Sequence, residues 1–372
     1  MKKGLFIQFF VVFFLFNVSV LMSIEEEQYP LQVGCFQLQS TRDYQEDYAD
    51  YGFFEHQGKE AVIAAVFDGH GLSKPGDSVS KYLKQNFISQ FMGYMGKAED
   101  ISTALSQTFA DCHAHFQEEK NRKEYSMNGS TAVVTVWAGD QCRFANLGDS
   151  RGYVKTSGGF FATEDHNLKN EEERKYLAQQ GALFANSRLN GCLATARGFG
   201  DCFCKFFKEI MTYSTYNQAY INNHMDKNSP TESSIMNNEP DISMHKIEGD
   251  SYILLASGGF FDVVRNKDVD SVVQDAKNLT WNGFTNKYKN YRLDDDPRYK
   301  VFFSYMDTTE TRVAKLLTYY AVCHKGSEDN TTVVFMQRGK PYSYFQLLKS
   351  PYVTVALGIL TFVLLYWHKC VK

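Results

Sequence analysis

Eight cysteines are scattered through the 372 residues, and no two of them fall at a CxxC spacing. That pattern argues against a structural zinc site. A chain of this length builds a core large enough to dispense with disulfides, so buried free thiols are expected. Cys202 and Cys204 are one residue apart and would share a face if their segment were a strand. Basic residues are not in excess either. The formal net charge is −4, so no positive field is available to hold nucleic acid. No internal repeat is visible, which removes the stacked-repeat architectures.

What is present is ordinary hydrophobic content, many aromatics, and length for one large domain or two small ones. Both ends are apolar. Lys2 and Lys3 precede a run over residues 5–22 broken only by Gln8, Asn17 and Ser19. It reads as an anchor or signal over 1–23, with an uncleaved anchor favoured because no clear small-residue cleavage site follows. Residues 352–368 read as a C-terminal transmembrane helix with Tyr366 and Trp367 at the interface; a buried helix is the alternative. The expected setting is a membrane of the endomembrane or secretory pathway. Sidedness stays open: Lys2 and Lys3 favour a cytosolic N-terminus, yet Arg338, Lys340 and Lys349 flank the second run on its domain side.

Between the ends, 33–38, 61–67, 131–137, 141–146, 251–256 and 331–336 read as strands, with a hairpin at Ala138-Gly139-Asp140. Residues 78–95 carry Val79, Tyr82, Leu83, Phe87, Phe91 and Met95 at helical spacing. Residues 101–116 repeat the stripe with Ile101, Leu105, Phe109, Cys112 and Phe116. Asn170 with Glu173 makes a capping-box start for a helix ending near Gly181. Further helices are expected after Asn266 and over 309–321. Residues 212–239, rich in Asn, Ser, Thr and Tyr, read as a surface insertion. Strands and helices come in pairs and not in strict alternation. The fold class is therefore α+β, with antiparallel sheets covered by helices, in a domain over 24–340.

The chemistry starts at Asp68-Gly69-His70-Gly71, which closes the apolar run 61–67. A strand ending this way presents a hard carboxylate oxygen, a backbone that can approach an ion closely, and an imidazole that carries a proton near neutral pH. Alone, the motif is weak, because a strand-end Asp is more often a turn former. It gains weight from an ordered series of others: Arg42-Asp43-Tyr44-Gln45-Glu46-Asp47, Gly129-Ser130-Thr131, Asn146-Leu147-Gly148-Asp149-Ser150-Arg151, Asp165-His166, Ala196-Arg197-Gly198-Phe199-Gly200-Asp201, Leu254-Leu255-Ala256-Ser257-Gly258-Gly259 and Asp329-Asn330-Thr331-Thr332-Val333-Val334.

This ordered set resembles the metal-dependent protein phosphatases, the PPM or type 2C family of serine/threonine phosphatases, over residues 33–337. The resemblance implies two central, mainly antiparallel β-sheets sandwiched between helices, with two Mg²⁺ or Mn²⁺ ions in a cleft at one edge. It implies that Asp68 bridges them, that the Gly69 carbonyl binds one and that Asp329 binds the other. Glu46 and Asp47 match the acidic pair that contacts metal directly or through water. Asp149 matches the carboxylate of a weaker third ion, Arg42 the phosphate-binding arginine, and His70 the general acid. The implied partners are phosphorylated proteins. Asp165 and His166 read as structural, and Arg197 and Asp201 as a pair within one loop.

One departure stands out. The family has Ala-Ser-Asp-Gly where this chain has Ala256-Ser257-Gly258-Gly259, so a metal-binding carboxylate is missing at Gly258. Losing a partner of this kind typically costs about 10–100-fold in affinity or activity. Asp262 matches the family's own downstream aspartate and is no substitute. Two readings follow: a protein serine/threonine phosphatase with weakened metal binding, or a catalytically impaired pseudophosphatase acting as a membrane-anchored scaffold.

Overall fold

The computed structural model describes residues 30–339 apart from 72–74, 98–99, 119–124, 126–127, 181, 183, 186–187, 190, 192, 202–235, 290–303 and 305–306. The apolar segments at both ends, Cys202, Cys204 and residues 212–235 of the expected insertion lie outside these residues. No helix among the described residues is long and apolar enough to cross a membrane. The described residues of Gln32–Gln337 form one compact body.

In chain order the strands are β1 (Leu31–Leu38), β2 (Asp47–His56), β3 (Lys59–Gly71), β4 (Asn128–Ser130), β5 (Ala132–Ala138), β6 (Gln141–Leu147), β7 (Arg151–Thr156), β8 (Gly159–Ala162), β9 (Phe184–Ala185), β10 (Arg188–Leu189), β11 (Phe199–Gly200), β12 (Asp241–Lys246), β13 (Tyr252–Ala256) and β14 (Thr331–Arg338). One sheet runs β1-β14-β13-β7-β8. The other runs β11-β4-β3-β5-β6-β12, with β2 also paired to β3. The pairings other than that of β1 with β14 are antiparallel, in line with the expected mainly antiparallel sheets. The sheets meet through β13 against β3 and β5. Gly152 on β7 lies so close to the Phe144 ring that a Cβ there would sit 2.5 Å from it.

Helices cover the outer faces. Helix α1 (Ser78–Met95) and α2 (Ile101–Gln117) pack on β3 and β5: Val79, Leu83, Phe87 and Phe91, with Ile101, Leu105, Phe109, Cys112 and Phe116, are all buried against Ile63, Ala65, Phe67, Val134 and Val136. Of the expected α1 stripe, Tyr82 and Met95 stay at the margin, partly buried. Period-two alternation sends Val62, Ala64 and Val66 of β3 to the opposite face, and all seven residues from Ala61 to Phe67 are inaccessible to solvent. This explains why the strand reads as an unbroken apolar run.

Helix α3 (Glu171–Gln179) begins as expected, with Asn170 accepting from the Glu172 and Glu173 amides. The reciprocal arm of a capping box does not close, because the Glu173 carboxylate is drawn to Arg197. A one-turn helix α4 (Gly258–Phe261) follows β13; α5 (Asn266–Asn278), α6 (Trp281–Lys287) and α7 (Thr309–Tyr319) follow. Buried side chains of α5 and α7 pack with Leu254, Val333 and Phe335. At residues 320–321, helix α7 gives way to a π-helical turn, Tyr320–His324.

The first turn of α7 rests directly on β1. A Cβ on Gly34 would lie 2.0 Å from the carbonyl carbon of Glu310, a backbone atom that cannot swing aside. Glu310 is itself buried and accepts a 2.6 Å hydrogen bond from Gln337. Gly34→Ala should therefore destabilise the domain by about 1–3 kcal/mol through overpacking, read as a lower urea midpoint at unchanged slope.

Candidate active site

The pairing of β2 with β3 brings two motifs together. Asp47, the first residue of β2, lies directly across from Asp68. The Gly69 amide donates to the Glu46 carbonyl (3.2 Å), and the Ser80 hydroxyl, from the first turn of α1, donates to the same oxygen (2.6 Å). A Cβ on Gly69 would meet both acceptor and hydroxyl at 2.4 Å, so only glycine allows this approach. The start of β14 closes on the same spot: the Glu46 amide donates to Asn330 Oδ1 (2.8 Å), and Asn330 Nδ2 donates to the Gln39 carbonyl (2.8 Å). Asn330 is thus the clasp that sets Asp329 beside the Arg42 loop. Thr131 fixes Asp68 from the other side, exchanging hydrogen bonds with its amide (3.3 Å) and carbonyl (3.0 Å).

A cavity of about 380 Å³ opens at this edge of the sheets, lined among others by Arg42, Glu46, Asp68, Gly69, His70, Asp149, Gly258, Asp262 and Asp329. All the predicted site residues but one reach it. Asp47 is the exception; it is 1% exposed and sits behind Asp68, not in the wall. Asp262, set aside in the sequence, lines the cavity.

The carboxylates are held there at an electrostatic cost. Burial lifts Asp47 to about 7, the Asp329 charge adding to it while the hydroxyls of Ser257 and Thr332 pull the other way. Asp68 is raised well above the usual carboxylate range by burial and then by Asp47, Asp329 and Asp149. Asp149 is raised to about 6 by burial, then by Asp165 and Asp262. Asp47 Oδ2 is buried without a hydrogen-bond partner. Crowded hard oxygens, one of them unpartnered, fit a divalent cation, which removes the repulsion that lifts these groups. Asp329, half exposed, is the one that carries a cation of the chain's own: Arg42 Nη2 lies 2.7 Å from its Oδ2. Among the described residues no three His, Cys, Asp or Glu side chains are already drawn together into a coordination cluster. At position 258 the only group turned toward Asp68 is an amide: Gly258 N–H donates to Asp68 Oδ2 at 2.9 Å.

His70 is placed by contacts that sequence spacing does not reveal. Its Nε2 lies 2.9 and 3.1 Å from the two carboxylate oxygens of Asp201. Burial alone would lower the imidazole, but the Asp201 charge and hydrogen bond outweigh it and the net shift is upward. The expectation that Asp201 pairs with Arg197 is therefore wrong. Arg197 turns away to Glu173 and to Asp241 (2.7 Å). Only three residues lie between the two in sequence, but they include all of β11, and Asp201 turns back with φ of 50°. His166 and Asp165 do not line the cavity, and each is held by partners of its own. The Gly148 amide donates to His166 Nδ1 (3.2 Å), so Nε2 carries the proton that goes to Asp241 (3.0 Å). Asp241 is held down to about 2, first by His166 and then by Arg197. Asp165 forms a two-pronged pair with Arg151, at 2.9 and 2.7 Å.

Residues 32–294 match the family model for protein phosphatase 2C. Among curated relatives, a probable protein phosphatase 2C 55 of Oryza sativa subsp. japonica is 28% identical over 249 residues, 66% of this chain and 57% of the relative. A probable protein phosphatase 2C 76 of Arabidopsis thaliana is 28% identical over 66% of this chain and 51% of its own length. The chain thus spans a little over half the length of these relatives. Two solved structures share the fold. A C. elegans sex-determining protein superposes with a TM-score of 0.60 at 21% identity, covering 85% of this chain and 67% of its own. A serine-threonine phosphatase 2C from Toxoplasma gondii gives 0.56 at 16% identity, covering 84% and 96%.

Proposed function

We propose that this chain, which belongs to the protein phosphatase 2C family, is a Mg²⁺- or Mn²⁺-dependent protein serine/threonine phosphatase with weakened ion binding. The observation that carries this reading is the convergence of Glu46, Asp68, Asp149 and Asp329 on one cavity shared with Arg42 and His70. Asp68, the Gly69 carbonyl, Glu46 and Asp329 are the groups that would hold two ions, with Asp149 for a weaker third and Asp47 supporting Asp68 from behind. Bound divalent ions supply an activated water and offset charge developing on the phosphoryl oxygens.

The protein supplies the rest. Thr131, Asn330 and the Gly69–Glu46 contact hold the carboxylates' backbones in place. Arg42 offers a planar fork matched to phosphate oxygens, and engaging them means releasing part of its contact with Asp329. His70 gives the leaving serine or threonine oxygen its proton. Phosphoproteins are the substrate class. The same proposal tethers the domain to an endomembrane or secretory-pathway membrane through the apolar runs 5–22 and 352–367; its support is those runs in the sequence.

A second reading, a pseudophosphatase scaffold, is favoured by one observation: Asp68 receives an amide from Gly258 where the family places a carboxylate. Titrating Mn²⁺ against hydrolysis of a phosphothreonine peptide separates the two. Turnover that rises into elevated Mn²⁺ and vanishes in Asp68→Ala is the expected result. A folded protein without turnover at any Mn²⁺ concentration overturns the enzyme and leaves the scaffold.

A further inference from the structure

We propose that Asp201 is the positioning residue of His70: through the gap left by Gly129 its buried carboxylate binds Nε2 and turns Nδ1 toward the reacting ester. The inference rests on the phosphatase reading above and adds to it a residue outside the metal-binding set.

The backbone around the pair is shaped for it. Strand β4 is only three residues long, yet it bridges the end of β3 and β11, with Gly129 across from His70 on one side and from Gly200 on the other. A Cβ on Gly129 would lie 2.2 Å from Asp201 Oδ2 and 2.4 Å from His70 Nε2. Any side chain there would stand where the two groups meet. Gly198 packs against the same pair, its Cβ position 3.4 Å from Asp201 Oδ2. Gly200 and Asp201 both take left-handed backbone conformations, φ 76° and 50°, an arrangement that aspartate tolerates better than most residues. The Asp201 amide is pinned to the Asn128 carbonyl at 2.9 Å. The outcome is a carboxylate whose side chain is 1% exposed, against an imidazole that is 25% exposed and lines the cavity. A carboxylate that deep requires a partner, and among the described residues that partner is His70.

The consequence is a division of labour between the ring nitrogens. Nε2 is taken by Asp201, so Nδ1 is the nitrogen left to serve the reaction; it makes no hydrogen bond to the described residues. As water bonds to phosphorus, the P–O ester bond breaks and its electron pair goes to the serine or threonine oxygen. Nδ1 delivers its proton to that oxygen, and one proton of the attacking water restores the imidazolium. The products are the free hydroxyl and inorganic phosphate. Asp201 touches no reacting atom; it sets the ring's orientation.

Two substrates expose this role, because an alkoxide needs the proton and p-nitrophenolate does not. In the full chain with Mn²⁺, the isosteric Asp201→Asn should lower kcat for a phosphothreonine peptide by about 10–100-fold with KM little changed, while p-nitrophenyl phosphate loses less than about threefold. The Asp201→Asn/His70→Asn double variant should be no slower than His70→Asn alone, since the two act as a unit. Equal loss on both substrates, or losses that multiply in the double variant, would make the pair merely structural and overturn the proposal. A readout independent of turnover is the ¹⁵N spectrum of the histidine rings at fixed pH. His70 should show Nε2 protonated and hydrogen-bonded, and Asp201→Asn should shift that signal while the other histidines keep theirs. If the wild-type chain hydrolyses neither substrate, the phosphatase reading fails on its own. The ring spectrum then still decides the pairing: a His70 signal indifferent to Asp201→Asn overturns it.

Discussion

Asp68→Asn should melt at a higher temperature than the wild-type chain at pH 8 without divalent ions, and should no longer gain stability from Mn²⁺. Both halves follow from the same crowding. Asp47 and Asp149 are lifted to about 7 and about 6, and Asp68 lies well above the usual range with Asp47, Asp329 and Asp149 all acting on it. A folded-state value above the unfolded one means that the native protein holds protons the unfolded chain has already released. As far as Asp47 and Asp149 are concerned, stability is then greatest below about pH 4 and falls as pH rises through about 4 to 7, and Asp68 acts in the same direction. At pH 8 the charges of Asp47 and Asp149 are expressed, and Asp68, raised in the same direction, lies among them.

An isosteric amide at position 68 deletes the central charge and keeps an oxygen for the Gly258 amide. Each 1 kcal/mol so relieved is worth about 2–4 °C in Tm for a domain of moderate size. Saturating Mn²⁺ should raise the wild-type protein by about 2.7 kcal/mol at 100-fold over its Kd and leave the variant unmoved. Hydrolysis should fall by at least about 10²–10³-fold, the scale of losing one preorganised electrostatic group. Differential scanning at pH 5 and pH 8, with and without Mn²⁺, reads all but the last. A variant that melts at or below wild type at pH 8 would show that the four aspartates do not strain one another.

Gly258→Asp should do the reverse, tightening Mn²⁺ and lowering the ion-free melting temperature. The site admits the side chain. A Cβ on Gly258 meets only Asp68 Oδ2, at 3.2 Å, and the backbone there is not left-handed. The amide bond to Asp68 comes from the main chain and survives. The new carboxylate adds a ligand and a negative charge beside a set already short of cation, so Mn²⁺ affinity should rise by about 10–100-fold. Without ions the same charge adds repulsion. Calorimetric titration with Mn²⁺ measures the first effect and thermal denaturation the second. Turnover that appears in Gly258→Asp and is absent from wild type would assign the natural chain to the scaffold reading. Unchanged Mn²⁺ affinity in a folded variant would show that position 258 does not reach the ion.

These variants target residues that the sequence already singles out, and it is instructive where its legibility ends. The two helical stripes packed as read, because a 3.6-residue period of large apolar side chains has one way to bury itself. Strand β2 was not legible. It is an edge strand with Tyr51 and Phe53 exposed, and its alternation is too weak to separate from the acidic motif that starts it. Strands β8 and β12 are also edge strands, with Phe160 and Met244 exposed, and escape the sequence pattern for the same reason. Asp47 could be grouped with the metal residues from its neighbour Glu46. Successive residues of a strand face opposite ways, however, and one of the two had to turn from the cavity.

The sequence by itself determined the ingredients: hard oxygen donors at strand ends, one glycine in place of a carboxylate, and enough patterned apolar surface for two covered sheets. Those are properties of residue types and short periods. Only the tertiary structure decided partners. His70 meets Asp201, 131 positions away, and Arg42 meets Asp329 across 287. Such contacts depend on strand register and on gaps left by glycines such as Gly129, and no local pattern of side chains encodes which distant carboxylate a closed sheet will bring to a given nitrogen.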